Sequence, residues 1–216
     1  MSRVEWYRDQ IFGHGPDSRT AEPRPDGQQQ PDIAIPSTTG DLLEALCMIH
    51  RPRLVVEVGT LTGYSTARLA RIVSRYGGRV VGIEREPEYA ALTTERLKLL
   101  GPAGVSASVL CGDAVPLLAG LELEHRALIF LDGAKQEYTS YFEALADRLE
   151  PGDLVVADDA YAPISGRFDE EPGGHQAAVA GVHKYNVGLA ADPRFFSRLV
   201  PVGSGLMISV RIEELT

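Results

Sequence analysis

Cysteine is scarce in this chain: Cys47 and Cys111 are the only two, each inside an apolar-rich stretch. Two such residues build neither a disulfide framework nor a cysteine-based zinc site, so small buried core groups in a reduced, cytoplasmic setting are expected. Long apolar runs are missing as well. None approaches the ~20 residues that a membrane helix needs, and "MSRVEWYRDQ" at the start lacks the apolar core of a signal peptide. Neither membrane insertion nor export is expected. Positive charge is in deficit, with 21 Lys and Arg against 30 Asp and Glu and a formal net charge of −9. A broad phosphate-binding surface draws its affinity from Lys and Arg, so nucleic acid is disfavoured as a partner. A nucleotide-sized ligand needs only local donors and stays open. His175 and His183 lack the partners of a metal site; they read as surface or acceptor-pocket residues, with His183 the better pocket candidate.

What the chain does have is a regular alternation. Residues 12–38 are rich in Gly, Pro, Gln and Asp and read as an irregular N-terminal segment (1–38) ahead of one domain (39–216). A first helix is predicted from near Thr39 to "RPR" at Arg51–Arg53. Strands follow at "LVVEV" (54–58), "RVVGIE" (79–84), "VSASVLC" (105–111), "RALIFLD" (126–132) and "DLVVAD" (153–158). Helical stretches separate them at 64–76, 87–101, after Asp113, and 136–149. A further helix is predicted around 177–190, and two closing strands end the chain. Such βαβ alternation predicts a single-domain, doubly wound α/β fold. Its sheet is mostly parallel, covered by helices on both faces, with one antiparallel strand near the C-terminus. Ligands of that architecture bind beyond the carboxyl ends of the strands.

The strand ends are therefore where chemistry is expected. The first runs into "VGTLTGYST", where Gly59 and Gly63 bracket a turn into a helix and allow close backbone approach to a ligand. It is not a dinucleotide fingerprint, because GxGxxG would need glycine at 61 and Leu61 stands there. The second strand ends in Glu84, placed to accept hydrogen bonds from ribose hydroxyls. The third leads to Asp113, a helix N-cap, a contact to an exocyclic amine, or both. The fourth ends in Asp132 and the fifth in Asp158 and Asp159. Three carboxylates on one rim repel unless a cation joins them, and oxygen-only ligands suit Mg²⁺, Ca²⁺ or Mn²⁺. Read singly, each acid is a cap or a solvated turn residue.

Several ordered motifs resemble those of class I S-adenosylmethionine-dependent methyltransferases, in particular the metal-dependent catechol and caffeoyl-CoA O-methyltransferase group. They are "VVEVGTLTGYST", "LDGAKQEYTSYFE", "GDLVVADDA" and "ADPRFFSRLVPVGSGLMISVRI", spanning about Ile33 to Ile212. The resemblance implies a seven-stranded Rossmann-like sheet and methyl transfer from S-adenosylmethionine to a hydroxyl of a catechol-like small molecule. It implies that Glu57, Gly59, Tyr64 and Ser65 hold the methionine part of the cofactor and Glu84 the ribose. Asp113 and Ala114 would face the adenine, and Ile33 and Ile35 would touch the cofactor through their backbone. Asp132, Asp158 and Asp159 would bind a divalent metal, Mg²⁺ first, with Asp132 also catalytic. Lys135 would be the general base if burial and the nearby cation lower its pKa. The loop at about 160–176 would shape the acceptor pocket, and a homodimer is implied. Asp159 departs from the group, whose usual residue there is Asn. Methylation of a hydroxylated transfer-RNA nucleoside, a nucleotide-binding oxidoreductase and a non-catalytic binding protein are the alternative readings.

Overall fold

The computed structural model describes residues 34–165 and 174–213, together with Tyr7 and Ile11. In chain order its elements are α1 (Ser37–His50), β1 (Leu54–Val58), α2 (Tyr64–Val73), β2 (Arg79–Glu84), α3 (Pro87–Leu99), β3 (Ala107–Cys111) and α4 (Ala114–Gly120). Then come β4 (Ala127–Leu131), α5 (Tyr138–Glu143), β5 (Leu154–Ala157), α6 (Ala162–Ser165), α7 (Gly174–Ala191), β6 (Phe195–Val200) and β7 (Leu206–Arg211). The seven strands form one sheet in the order β3-β2-β1-β4-β5-β7-β6. Among them β7 alone runs antiparallel to its neighbours β5 and β6. The predicted doubly wound sheet with an antiparallel C-terminal strand is the one observed.

Alternation along the strands divides the core into two layers, because successive side chains point to opposite faces. Val56, Val58, Ile129, Leu131 and Val155 pack with Leu118, Tyr138, Tyr185 and Leu189. Val55, Val80, Leu128, Phe130 and Val156 pack with Leu43, Cys47, Leu69 and Val73 on the other face. All five residues of β1 and of β4 are buried, as two-sided cover requires. Each such Val, Leu or Ile contributes about 1.5–3 kcal/mol by leaving water. Cys47 is buried as expected, whereas Cys111, at the end of an edge strand, is exposed.

Several boundaries differ from expectation. α1 begins at Ser37, not Thr39, with Pro36 in extended conformation as its N-cap. Residues 101–106 are a 3₁₀ helix, which shortens the predicted third strand to β3. The helix predicted over 136–149 is broken into a 3₁₀ turn (Lys135–Glu137), α5 and a second 3₁₀ turn (Ala146–Arg148). There the Arg148 guanidinium donates to the Ala144 carbonyl, which a continuous helix would have bonded itself, and to the Leu118 and Leu121 carbonyls at the C-terminal end of α4. Of the acceptor-pocket loop predicted at about 160–176, residues 166–173 lie outside the described residues, and 174–176 belong to α7, which begins ahead of the predicted 177. No helix among those described is long and apolar enough to cross a membrane.

Candidate active site

The switch in strand order falls between β1 and β4, and a cleft of about 390 Å³ opens there at the carboxyl ends of the strands. Its walls include Ile35, the turn Gly59–Thr62, Tyr64 and Ser65, Glu84 and Arg85, Asp132–Lys135 and Asp159. A doubly wound sheet places its ligand site at this position.

The turn after β1 forms the floor. Gly59 has φ +89, and a Cβ there would press within 2.8 Å of the Asp132 backbone, so only glycine lets the two strand ends meet. Leu61 also adopts a left-handed conformation, φ 48, which costs a leucine roughly 1–2 kcal/mol. Two bonds hold it: its N–H donates to Glu84 Oε2 at 2.8 Å, and its carbonyl accepts from Thr93 Oγ1 at 3.0 Å. The position that breaks the glycine fingerprint thus keeps a glycine-like backbone by borrowing partners from β2 and α3. Strain of this kind is typical of a turn shaped for a ligand.

Glu84 is buried, and both its oxygens are oriented, Oε2 by Leu61 N and Oε1 by Glu86 N at 3.0 Å. Each carboxylate oxygen has further lone-pair capacity for a diol at the cleft. Glu57 lies beneath the floor, fully buried, and neither carboxylate oxygen has a partner among the described residues. Burial pushes its pKa up to about 7; the adjacent Ser65 and Thr66 hydroxyls oppose this, and Asp132 and Glu84 add to it. It does not itself line the cleft, whereas Gly59, Tyr64, Ser65 and Ile35 do. Ile33 lies outside the described residues.

Asp113 is an exposed cap. Its Oδ1 accepts from Val115 N at 3.1 Å to start α4, and it does not line the cleft, although Gly112 and Ala114 do. The capping reading is the one that this geometry carries. His183 is exposed on α7, whose buried face presents Val182, Tyr185 and Leu189, and it is absent from the cleft wall. Of the two readings of His183, surface or acceptor pocket, its exposure on the outer side of α7 fits the first. The side chain of His175 lies outside those described.

Across the cleft the sheet delivers three acids. Asp132 follows β4, and Asp158 and Asp159 follow β5; one oxygen from each lies within 4.8 Å of the other two. Asp159 has φ 54, a left-handed conformation that Asp and Asn tolerate better than most residues. That conformation turns two successive acids toward one point. Asp158 is 3% exposed, and its Oδ1 has no partner among the described residues. Burial, then Asp132 and Asp159, raise its pKa, opposed by Lys135.

Lys135 sits inside this group. Its Nζ donates to Asp132 Oδ1 at 2.6 Å and to Tyr138 Oη at 2.8 Å, and lies 3.1 Å from Asp159 Oδ2. Tyr138 in turn donates to the Leu131 carbonyl at 3.0 Å. Burial pulls the ammonium down, but Asp132 first, then Tyr138, Asp159 and Asp158, outweigh it and hold its pKa well above the ordinary lysine value. The direction required of a free general base is reversed in this arrangement, because the carboxylates keep the proton on Nζ. One ammonium among three carboxylates leaves the group short of positive charge. An all-oxygen donor set with an orphaned buried oxygen fits a hard divalent cation. Sequence reasoning missed Tyr138, Thr93 and Arg85. Tyr138 belongs to the "LDGAKQEYTSYFE" motif, and its spacing three residues beyond Lys135 is the available signal.

Comparison with known proteins follows the same lines. The family model described as O-methyltransferase matches residues 24–212. A catechol O-methyltransferase of Niastella koreensis is 28% identical over 193 residues, covering 88% of this chain and 85% of that protein. The crystal structure of an O-methyltransferase from Bacillus cereus in complex with SAH superposes with a TM-score of 0.72 at 28% identity, covering 84% of each chain. That of TomG, an O-methyltransferase from Streptomyces achromogenes involved in tomaymycin synthesis and in complex with SAM, gives 0.72 at 28% identity, covering 85% of this chain and 83% of that one. With most of its length matched, this chain belongs to the O-methyltransferase family.

Proposed function

We propose that this protein transfers the methyl group of S-adenosylmethionine to a hydroxyl of a catechol-like small molecule, with a divalent metal, Mg²⁺ first, at Asp132, Asp158 and Asp159. The observation that carries the reading is the triple carboxylate beside the cleft, with Asp158 Oδ1 buried and unpartnered. Support for the cofactor comes from the oriented carboxylate of Glu84, which matches a ribose diol, and from the SAM and SAH complexes of the similar proteins. Glu57, buried without a partner, offers compensation for the ammonium of a methionine moiety.

The cofactor supplies an electrophilic methyl group on a sulfonium. A cation on the three carboxylates would orient two vicinal oxygens, lower the pKa of a hydroxyl and neutralise the charge that retains the Lys135 proton. The chain's own residues do the rest. Gly59 lets the ends of β1 and β4 meet at the floor of the cleft, and Glu84 would fix the nucleoside end of the ligand. Lys135, tethered by Tyr138 Oη, lines the cleft beside the three carboxylates and would hold or receive the acceptor's proton. Fixing both reactants in one cleft contributes proximity catalysis.

The test is methylation of a panel of catechols by the purified protein with S-adenosylmethionine. Activity is expected with Mg²⁺, lost in EDTA and regained when Mg²⁺ is restored in excess. Methylation indifferent to EDTA overturns the metal assignment. Methylation of monohydroxyl acceptors as fast as of vicinal diols overturns the acceptor class.

A further inference from the structure

Arg68 is a cation that the proposed chemistry does not use. It lies on α2, one turn beyond the cleft-lining Tyr64, with its side chain 12% exposed. Its guanidinium spends its donors on two different walls. Nε donates to Glu44 Oε1 at 2.7 Å and Nη2 to Asp41 Oδ1 at 2.7 Å, both on α1. Nη1 donates to the Ser37 carbonyl and to Tyr64 Oη, each at 3.2 Å. Planar forks of this kind fix geometry as well as charge.

The partners matter because of where they sit. Ala34 and Ile35, just ahead of Ser37, line the cleft, and so do Tyr64 and Ser65. Helix α1 has been thinned to admit the guanidinium. A Cβ on Gly40 would collide with Nη1 and lie 2.5 Å from Cζ. The opposite side of the same stretch rests on the β6–β7 turn, where Gly203 packs against Thr39 and Pro36. Residues 34–40 are thus held between Arg68 and that turn.

We propose that Arg68 is a positioning residue for the cofactor: it sets the distance between the 34–36 wall and Tyr64, and so the affinity of the cleft for the nucleoside–amino acid ligand. The assignment rests on the S-adenosylmethionine reading above. Loss of the fork frees the Ser37 carbonyl, and with it the stretch carrying Ala34 and Ile35, from Tyr64 while leaving every cleft-lining side chain in the sequence.

Titration calorimetry with S-adenosylhomocysteine, with thermal unfolding in parallel, tests it on Arg68→Met, Arg68→Lys and Gly40→Ala. Arg68→Met is expected to weaken binding roughly ten- to hundredfold, the range of charge-assisted bonds lost. Arg68→Lys keeps the charge but not the fork and should fall between it and the parent. Gly40→Ala expels the guanidinium with Arg68 intact and should reproduce the loss even if Arg68→Met folds poorly. Phe195→Ala, a core deletion at the far edge of the sheet, should lower the melting temperature while leaving affinity within about twofold, since distant sites act independently. Lower melting temperatures with unchanged affinity in all three variants would overturn the proposal, leaving Arg68 a stability clamp. Failure of the parent protein to bind the ligand would instead sink the cofactor reading on which it depends.

Discussion

The two halves of the rim handle buried acid in opposite ways. On the β1–β2 side, Glu84 is buried yet satisfied, each oxygen accepting a backbone N–H. On the β4–β5 side, Asp132, Asp158 and Asp159 crowd around a single ammonium, and Asp158 Oδ1 has no partner among the described residues. A satisfied acid is a preformed acceptor for a neutral diol. An under-compensated set is a demand for positive charge, since burying an unpaired charge costs several kcal/mol. Glu84 has its oxygens oriented by the chain itself; the Asp132, Asp158 and Asp159 group does not have its charge balanced by Lys135 alone.

Substitutions can break that contrast. The largest effect is expected at Asp158→Ala, which removes the carboxylate whose Oδ1 has no partner among the described residues. Methylation of a vicinal diol should drop by about a thousandfold, several kcal/mol of transition-state stabilisation. Affinity for S-adenosylhomocysteine should change little, and calorimetry beside the activity assay separates the two.

Glu57 belongs to the first half but shares the disposition of the second. Its folded pKa, about 7, exceeds its ordinary 4.5, so between those pH values the native state binds more protons than the unfolded one. Stability is then expected to fall as pH rises from about 4.5 through about 7, by of order 3 kcal/mol in the ligand-free protein. Glu57→Gln should flatten this slope in urea unfolding followed across that pH range. An unchanged slope would mean that Glu57 carries no such cost.

Glu84→Ala should weaken S-adenosylhomocysteine binding roughly ten- to hundredfold. It should leave metal affinity unmoved, because Glu84 is not one of the three clustered carboxylates. The smallest effect is expected for Asp159→Asn. It keeps an oxygen ligand and the left-handed backbone but removes one charge, and Mg²⁺ affinity by calorimetry should fall about tenfold. Equal affinity would show that the third carboxylate serves the ion pair with Lys135 and not the metal.

Much of the fold was legible because two-sided burial writes itself as unbroken apolar runs: β1 and β2 coincide with the predicted segments. Edges were harder. The strand predicted from residue 105 starts at Ala107, since at a half-exposed edge the apolar pattern does not distinguish a strand from the 3₁₀ turn before it. The site divided similarly. Glu84, Asp132 and Asp159 were found from their places at strand ends, and all three line the cleft. Asp113 and His183 do not, because orientation about a cap or a helix axis is set by packing. Leu61 misled in an instructive way: a side chain is compatible with the turn only because Glu84 and Thr93, distant in sequence, support its backbone.

The sequence alone determined the alternation of strands and helices, hence a parallel sheet with its site at the carboxyl ends, because period and hydropathy are local properties of the chain. It also placed an acid at the end of each relevant strand. Only the tertiary structure decided what state those acids are in. Charge balance depends on which groups meet, and that brought Lys135 between Asp132 and Asp159, left Asp158 Oδ1 and Glu57 without partners, and gave Glu84 two.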